Sequence, residues 1–185
     1  MKDFRVAERY ARALSLSLPD ESTLDEAGRA MTLLRRTFTS NHDLHSALAN
    51  PAIDADVRVR LLNGVIQNLE ISPAVGRLLE VLLRRGRIDW LPAVARVFNT
   101  LVDERLNRVG ASVRTATPLN EAQEARLQAA LEQFSGKAVR MEIEIEPELL
   151  GGVVTEIGGK LIDGSVRTRL NRLKNTLITE ETLGA

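Results

Sequence analysis

The chain has 185 residues, no cysteine, 44% apolar and 27% charged side chains, and 25 basic groups balanced by 25 acidic ones. Missing cysteine excludes disulfides, thiolate nucleophiles and thiolate metal sites. A zero net charge gives no basic excess for bulk phosphate binding, and 3% aromatics leave few platforms for stacking bases.

The start, Met-Lys-Asp-Phe-Arg-Val-Ala-Glu, has no apolar stretch of signal-peptide length, and Asp3 and Glu8 do not suit an acid-poor transit peptide. No run approaches the roughly 18 apolar residues of a membrane span. The expectation is a cytoplasmic protein with no direct membrane insertion, held at a membrane, if at all, by another subunit.

Residues 1–108 read as helices. Ala7, Tyr10, Ala11, Leu14 and Leu18 recur at helical spacing until Pro19. A second stripe runs through Leu24, Ala27, Met31, Leu34 and Phe38, with Ser22 or Thr23 as its cap. Asn41 or Asp43 opens a short third helix to Leu48, and Asn50-Pro51 breaks it. Asp54 caps a fourth, with Val57, Leu61, Leu62, Val65 and Leu69. Ser72-Pro73 starts a fifth, with Val75, Leu78, Leu79 and Leu82, closed by Gly86. The sixth carries Leu91, Val94, Ala95, Phe98, Leu101, Val102 and Leu106. Each stripe covers one face, so the helices must pack on one another.

The period changes at Val109-Gly110. Residues 111–116 read as a strand, and Asn120 caps a helix with Leu127, Ala130, Leu131 and Phe134, closed by Gly136. Val139, Met141, Ile143 and Ile145 alternate with Arg140, Glu142 and Glu144, the mark of a strand with one wet face. Two short strands flank Gly158-Gly159, a tight hairpin turn. A last helix begins near Ser165, with Val166, Leu170, Leu173 and Leu177 on one face and Arg167, Arg169, Arg172 and Lys174 on the other. Its apolar stripe is expected on the sheet face of Val139, Met141, Ile143 and Ile145. The fold class is therefore α+β in two domains: a six-helix bundle over 1–108 and a small α+β domain over 109–185.

Chemistry is hard to assemble from these residues. His42 and His45 lack a third metal ligand and read as solvated helix-end groups. The pairs Gly151-Gly152 and Gly158-Gly159 fit no phosphate-loop pattern, because Lys160 is followed by leucine and no helix start follows. Arg84, Arg85 and Arg87 read as a solvated cationic helix end. The cationic face of the last helix is the sharper candidate for docking an acidic partner. No catalytic residue, cofactor or metal is expected, and the residues point to an interaction protein.

Four stretches carry a family resemblance: Ala7-Glu-Arg-Tyr-Ala-Arg-Ala-Leu14, Leu48-Ala-Asn-Pro51, Leu82-Leu-Arg-Arg-Gly-Arg-Ile-Asp-Trp-Leu-Pro92, and the glycine-rich run from Pro147 through Gly151-Gly152 to Ile162-Asp-Gly-Ser-Val-Arg167. With these the sequence resembles the delta subunit of bacterial and chloroplast ATP synthases, and is similar to the mitochondrial oligomycin-sensitivity-conferring protein. The resemblance implies a non-catalytic stator subunit that links the catalytic head to the peripheral stalk at the cytoplasmic face of the bacterial inner membrane. It implies that the first domain holds the N-terminal extension of an alpha subunit between its first and fifth helices. Ala7, Tyr10, Ala11 and Leu14 would then face Val75, Leu78, Leu79 and Leu82. It also implies a C-terminal domain that meets the C-terminal region of the b subunits; within that domain the expected contact is the last helix, with Arg167, Arg169 and Arg172, or the adjoining Gly151–Gly164 hairpin, with Gly151 and Gly152. No nucleic acid is expected. An all-helical adaptor or nucleic-acid-associated factor is the alternative, distinguished by a steep loss of binding with salt.

Overall fold

A computed structural model describes residues 4–168 and 170. The chain divides into two compact units between Leu106 and Asn107. The first contains α1 (Phe4–Leu16), α2 (Glu21–Ser40), α3 (His42–Ala49), α4 (Ala55–Asn68), α5 (Pro73–Arg84) and α6 (Leu91–Arg105). A 3-10 turn, Ile88–Trp90, joins α5 to α6.

The helix ends follow local chemistry. Asn41 accepts from the Leu44 amide at 3.0 Å and starts α3. Asp54 accepts from the Asp56 amide at 2.8 Å and starts α4. The second helix starts earlier than expected: Asp20, not Ser22 or Thr23, is its N-cap. Proline at the first turn opens both α5 and α6. Gly86, at φ +60°, ends α5. The Arg87 amide donates to the Leu82 carbonyl at 2.7 Å and the Gly86 amide to that of Leu83 at 3.0 Å. This is a Schellman closure, which needs a left-handed residue that glycine supplies without steric penalty.

The sixth helix is the centre of this unit. Leu91, Val94, Ala95, Phe98 and Val102 are fully buried on it, and α1 and α2 both pack against it. From α1 come Ala7, Ala11 and Leu14, from the link after it Leu18, and from α2 Leu24, Ala27, Met31, Leu34 and Phe38, all in one core. Each large side chain buried this way contributes about 1.5–3 kcal/mol of transfer free energy. On α4 the expected stripe is only half right. Leu62 is buried, but Val57 and Leu61 are exposed. An alternating i, i+4 pattern fixes a face but not its width, and α4 turns only one edge inward.

The second unit is built on a four-stranded mixed sheet: β1 (Arg108–Thr115), β2 (Ala138–Ile145), β3 (Val153–Ile157) and β4 (Lys160–Asp163), in the order β2-β1-β3-β4. The first strand begins at Arg108, three residues before the expected start. It pairs parallel with β2 and antiparallel with β3. A parallel pair needs a crossover, and α7 (Glu121–Ser135) supplies it. Asn120 and Gln123 form a reciprocal capping box at 2.9 Å each, and Gly136 closes the helix at φ +68°. Gly158 and Gly159, both at positive φ, make the two-residue turn between β3 and β4.

The core of this unit unites Ala111, Val113 and Ile157 with Val139 of β2 and Leu131 of α7; Leu127, Met141 and Ile143 pack onto it. Thus α7 takes the sheet face expected to receive the last helix. On α7 itself, Phe134 is exposed, with the Lys160 ammonium 5.6 Å from its ring centre. Ile145, Val166 and Leu170 are also exposed. Leu173 and Leu177 lie outside the described residues. A crossover helix is tethered at both ends to the strands it covers, which gives it the shorter route to that face.

We expect residues 1–106 alone to melt cooperatively, since their core closes within the unit. Loss of ellipticity on heating, followed at 222 nm, checks this; a broad, non-cooperative decay would show that the core needs the rest of the chain.

Candidate functional site

The two regions singled out in the sequence fall in different units. In the first, α1 and α5 are neighbours, and a hydrogen bond joins α1 to the turn after α5: the Arg87 guanidinium donates to the Tyr10 hydroxyl at 3.0 Å. The Schellman closure after α5 places Arg87 where it can cross to α1. At the other end of α1, Arg105 donates to the carbonyls of Leu18 at 3.3 Å and Pro19 at 2.7 Å, holding the link to α2 against the end of α6.

Most of the expected groove residues lie in the core. Ala7, Ala11, Val75, Leu79 and Leu82 are 0% exposed, and Leu14 and Leu78 are buried. Only Tyr10 keeps substantial surface. The stripe on α1 therefore sets how closely the helix approaches α6, and it does not line a surface cleft. The helical period marks the core-facing side first; the flank beside it on the same helix stays at the surface. On α1 that flank is Val6, Tyr10 and Ala13, spaced i, i+4 and i+7, half-buried to exposed. On α5 the exposed residues include Arg77, Val81, Arg84 and Arg85. Val81 was missed because it falls outside the Val75–Leu78–Leu79–Leu82 stripe; an apolar residue set among arginines on the polar side was the available signal.

In the second unit, Gly151 and Gly152 belong to a backbone crossing. They stand at φ +145° and +84°. A Cβ on Gly152 would meet the Gly164 carbonyl oxygen at 2.5 Å and the Ser165 Cα at 2.8 Å. The Gly164 amide donates to the Val153 carbonyl, and the Val166 amide to that of Gly151, at 2.9 and 3.0 Å. Asp163 and Ser165 then start a helical turn at Val166. The Asp163 carboxylate accepts from the Ser165 amide at 2.9 Å and the Thr168 hydroxyl at 2.8 Å, while the Ser165 hydroxyl accepts from the Thr168 amide at 3.2 Å. Arg167 is exposed on that turn. Arg169 and Arg172 lie outside the described residues.

The other candidates have local roles. The ring of His45 meets Asp89 at 2.8 Å, joining α3 to the 3-10 turn, and lies edge-on to Phe38. His42 shares a hydrogen bond with Ser46 at 3.2 Å. Among the described residues, no group of three His, Asp or Glu side chains could hold a metal ion, and no helix is long and apolar enough to cross a membrane.

Fold and site together define an α+β protein in two units, one helical and one built on a small mixed sheet, whose singular residues serve close approach and surface contact. The family model for the ATP synthase delta (OSCP) subunit matches residues 6–177, so the chain belongs to that family, a peripheral-stalk component of the ATP synthase. It is 37% identical over 172 residues to the ATP synthase subunit delta of Geobacter metallireducens, covering 93% of this chain and 96% of that protein. Identity and coverage are the same for the subunit delta of Desulfitobacterium hafniense strain DCB-2. A chain in the cryo-EM structure of the Toxoplasma gondii mitochondrial ATP synthase hexamer shares the fold, with a TM-score of 0.65 at 21% identity over 93% of this chain and 97% of that one. The subunit is a structural part of the stator and not a catalytic one.

Two substitutions separate core from surface on α1. Ala11→Trp should destabilise the chain by about 3 kcal/mol or more, through overpacking against α6. Tyr10→Phe, which removes only the exposed bond to Arg87, should cost about 1 kcal/mol or less. Urea midpoints of the two variants check this. Gly152→Ala should cost about 3 kcal/mol, combining a left-handed φ with a backbone clash, whereas Gly159→Ala, at φ +75° in open space, should cost about 1 kcal/mol. Equal losses at the two glycines would show that the crossing relaxes freely.

Proposed function

We propose that this chain is the connector of a bacterial rotary, proton-translocating ATP synthase. Its N-terminal six-helix bundle holds the helical N-terminal extension of an alpha subunit, and its C-terminal unit meets the C-terminal region of the b subunits. It works at the cytoplasmic face of the plasma membrane, held there by the complex. The observation that carries this reading is the family match, which runs through both units rather than one.

A rotor turning inside the head drags the head with it unless the head is anchored. The connector passes that torque to a membrane-held stalk, so it needs slowly dissociating contacts and no bond chemistry. Nanomolar attachment corresponds to about −12 kcal/mol. An amphipathic helix laid against an apolar strip reaches this with a few anchors at helical spacing. The α1–α5 region supplies such a strip, with Tyr10 and the flank beside it at the surface. The residues Ala7, Ala11, Leu14, Val75, Leu78, Leu79 and Leu82 lie beneath and fix the separation of the helices. In the C-terminal unit, the Gly151-Gly152 crossing sets the start of the helical turn at Val166; Arg167 on that turn, with Arg169 and Arg172 of the following sequence, is the stalk contact of this reading. Apolar contacts supply most of that affinity, and the arginines set orientation and association rate.

Tagged full-length chain, recovered from mildly solubilised membranes, should bring the alpha and b subunits with it. Replacing Arg169 and Arg172 together with Glu should slow association with the b subunit at low salt and leave the alpha contact in place. Recovery of the wild-type chain without either subunit would overturn the proposal; an unchanged b association rate in the variant would remove only the arginine contact.

A further inference from the structure

The exposed side of α5 is unusual for a solvated helix face. Arg77, Val81 and Arg84 lie at i, i+4 and i+7 on one line, with Val81 45% exposed between the two cations. Arg85 follows at the helix end, and Arg87 crosses to Tyr10. The guanidinium groups of Arg77, Arg84 and Arg85 have no ion pair or hydrogen bond among the described residues. Glu80 sits beside this line, half-buried, and pairs with neither Arg77 nor Arg84. Asp89, past the turn, meets His45.

The α1 side is neutral. Val6, Tyr10 and Ala13 form the flank joined to α5 through Arg87, while Glu8 lies on the opposite flank and meets Arg12 at 2.7 Å. The surface thus combines an uncharged strip on α1 with a cationic line on α5 that carries one apolar residue at its centre. Arg84 and Arg85 stand together at the helix end with Arg77 two turns before them, and the one half-buried acid beside this line, Glu80, is bonded to none of them among the described residues, which leaves the strip net positive. The helix dipole there favours cations only modestly.

We infer that the segment received at α1 and α5 is an acidic amphipathic helix. Its apolar side meets Val6, Tyr10, Ala13 and Val81, and two acidic residues about two turns apart meet Arg77 and Arg84, with Arg85 beside them. This rests on the proposal that the N-terminal extension of the alpha subunit binds here, and adds the charge that selects it. Charges at such a rim act mainly on encounter rate and on the choice of partner.

The test uses full-length chain and two synthetic peptides: the N-terminal segment of the alpha subunit, and the same segment with every Asp and Glu replaced by the matching amide. A variant combining Arg77→Glu, Arg84→Glu and Arg85→Glu, all at exposed positions, should keep the wild-type melting temperature to within a few degrees. At low salt the wild type should bind the acidic peptide faster than the variant by on the order of tenfold, a gap that narrows as salt is raised. The amide peptide should bind both proteins at similar rates. Equal rates for the acidic peptide at low salt overturn the inference but leave the groove in place. A wild type that binds neither peptide overturns the groove itself and the inference with it. Loss of binding to phosphatidylglycerol vesicles in the variant, with peptide rates unchanged, assigns the arginines to lipid and also overturns the inference.

Discussion

The helical unit depends on how α1 and α2 meet α6. Small side chains make the first contact close: Ala7 and Ala11 bury completely, and they meet a helix whose own Ala95 is also fully buried. The second contact is fixed in register by a polar bond inside the core. Asn99, 5% exposed on α6, donates to the Thr32 hydroxyl of α2 at 2.7 Å. Gly28, one turn away, leaves room for it, since a Cβ there would stand 3.2 Å from the Asn99 side-chain oxygen. Sliding the helices would leave the Asn99 amide nitrogen without a partner as well as its buried oxygen, which has none among the described residues, and this limits the alternative alignments. Apolar packing supplies the stability of this unit, and the one amide limits how that packing can be arranged.

The second unit solves a different problem with backbone instead of side chains. Its sheet is small, with β1 at the centre between a parallel and an antiparallel neighbour. Among the described residues a small cluster forms its core: Ala111, Val113, Leu131, Val139 and Ile157. The segment after β4 lies against Gly152 so closely that no side chain fits there, and it brings Val166 close to Gly151. The glycine-rich run that carries the family resemblance is thus explained by steric need at the crossing and by the left-handed turn at Gly158 and Gly159.

Much of this was legible in the sequence where the physics is local. Asn41, Asp54 and Asn120 cap the helices they were expected to cap, Gly86 and Gly136 end theirs, and the strand–Gly-Gly–strand pattern is a hairpin. What was not legible depends on the rest of the fold. A helical stripe cannot say whether Ala11 faces α6 or a partner, because both demand small apolar residues at the same spacing. Val57 and Leu61 fit the template of a buried face and are exposed. The alternation in β2 identified a covered side without saying that α7 covers it. The 3-10 turns at Ile88–Trp90 and Pro147–Leu149 are too short to have a period at all.

The crossing at Gly152 also has a mechanical side. The chain leaving β4 is bonded back to both ends of one short stretch, through Val166 to Gly151 and Gly164 to Val153. Beyond that stretch lies β3, bonded along its length to β1. Tension applied past Ser165 along the strands is therefore carried by the backbone into β4 and, through these two bonds and the β4–β3 pairing, into β3, so that several hydrogen bonds share the strain at once. A strand pair pulled lengthwise resists as a set, whereas one peeled from its end gives way bond by bond. The two glycines let the chain leave the sheet at this bonded crossing, so that a pull along the strands is met in the first way.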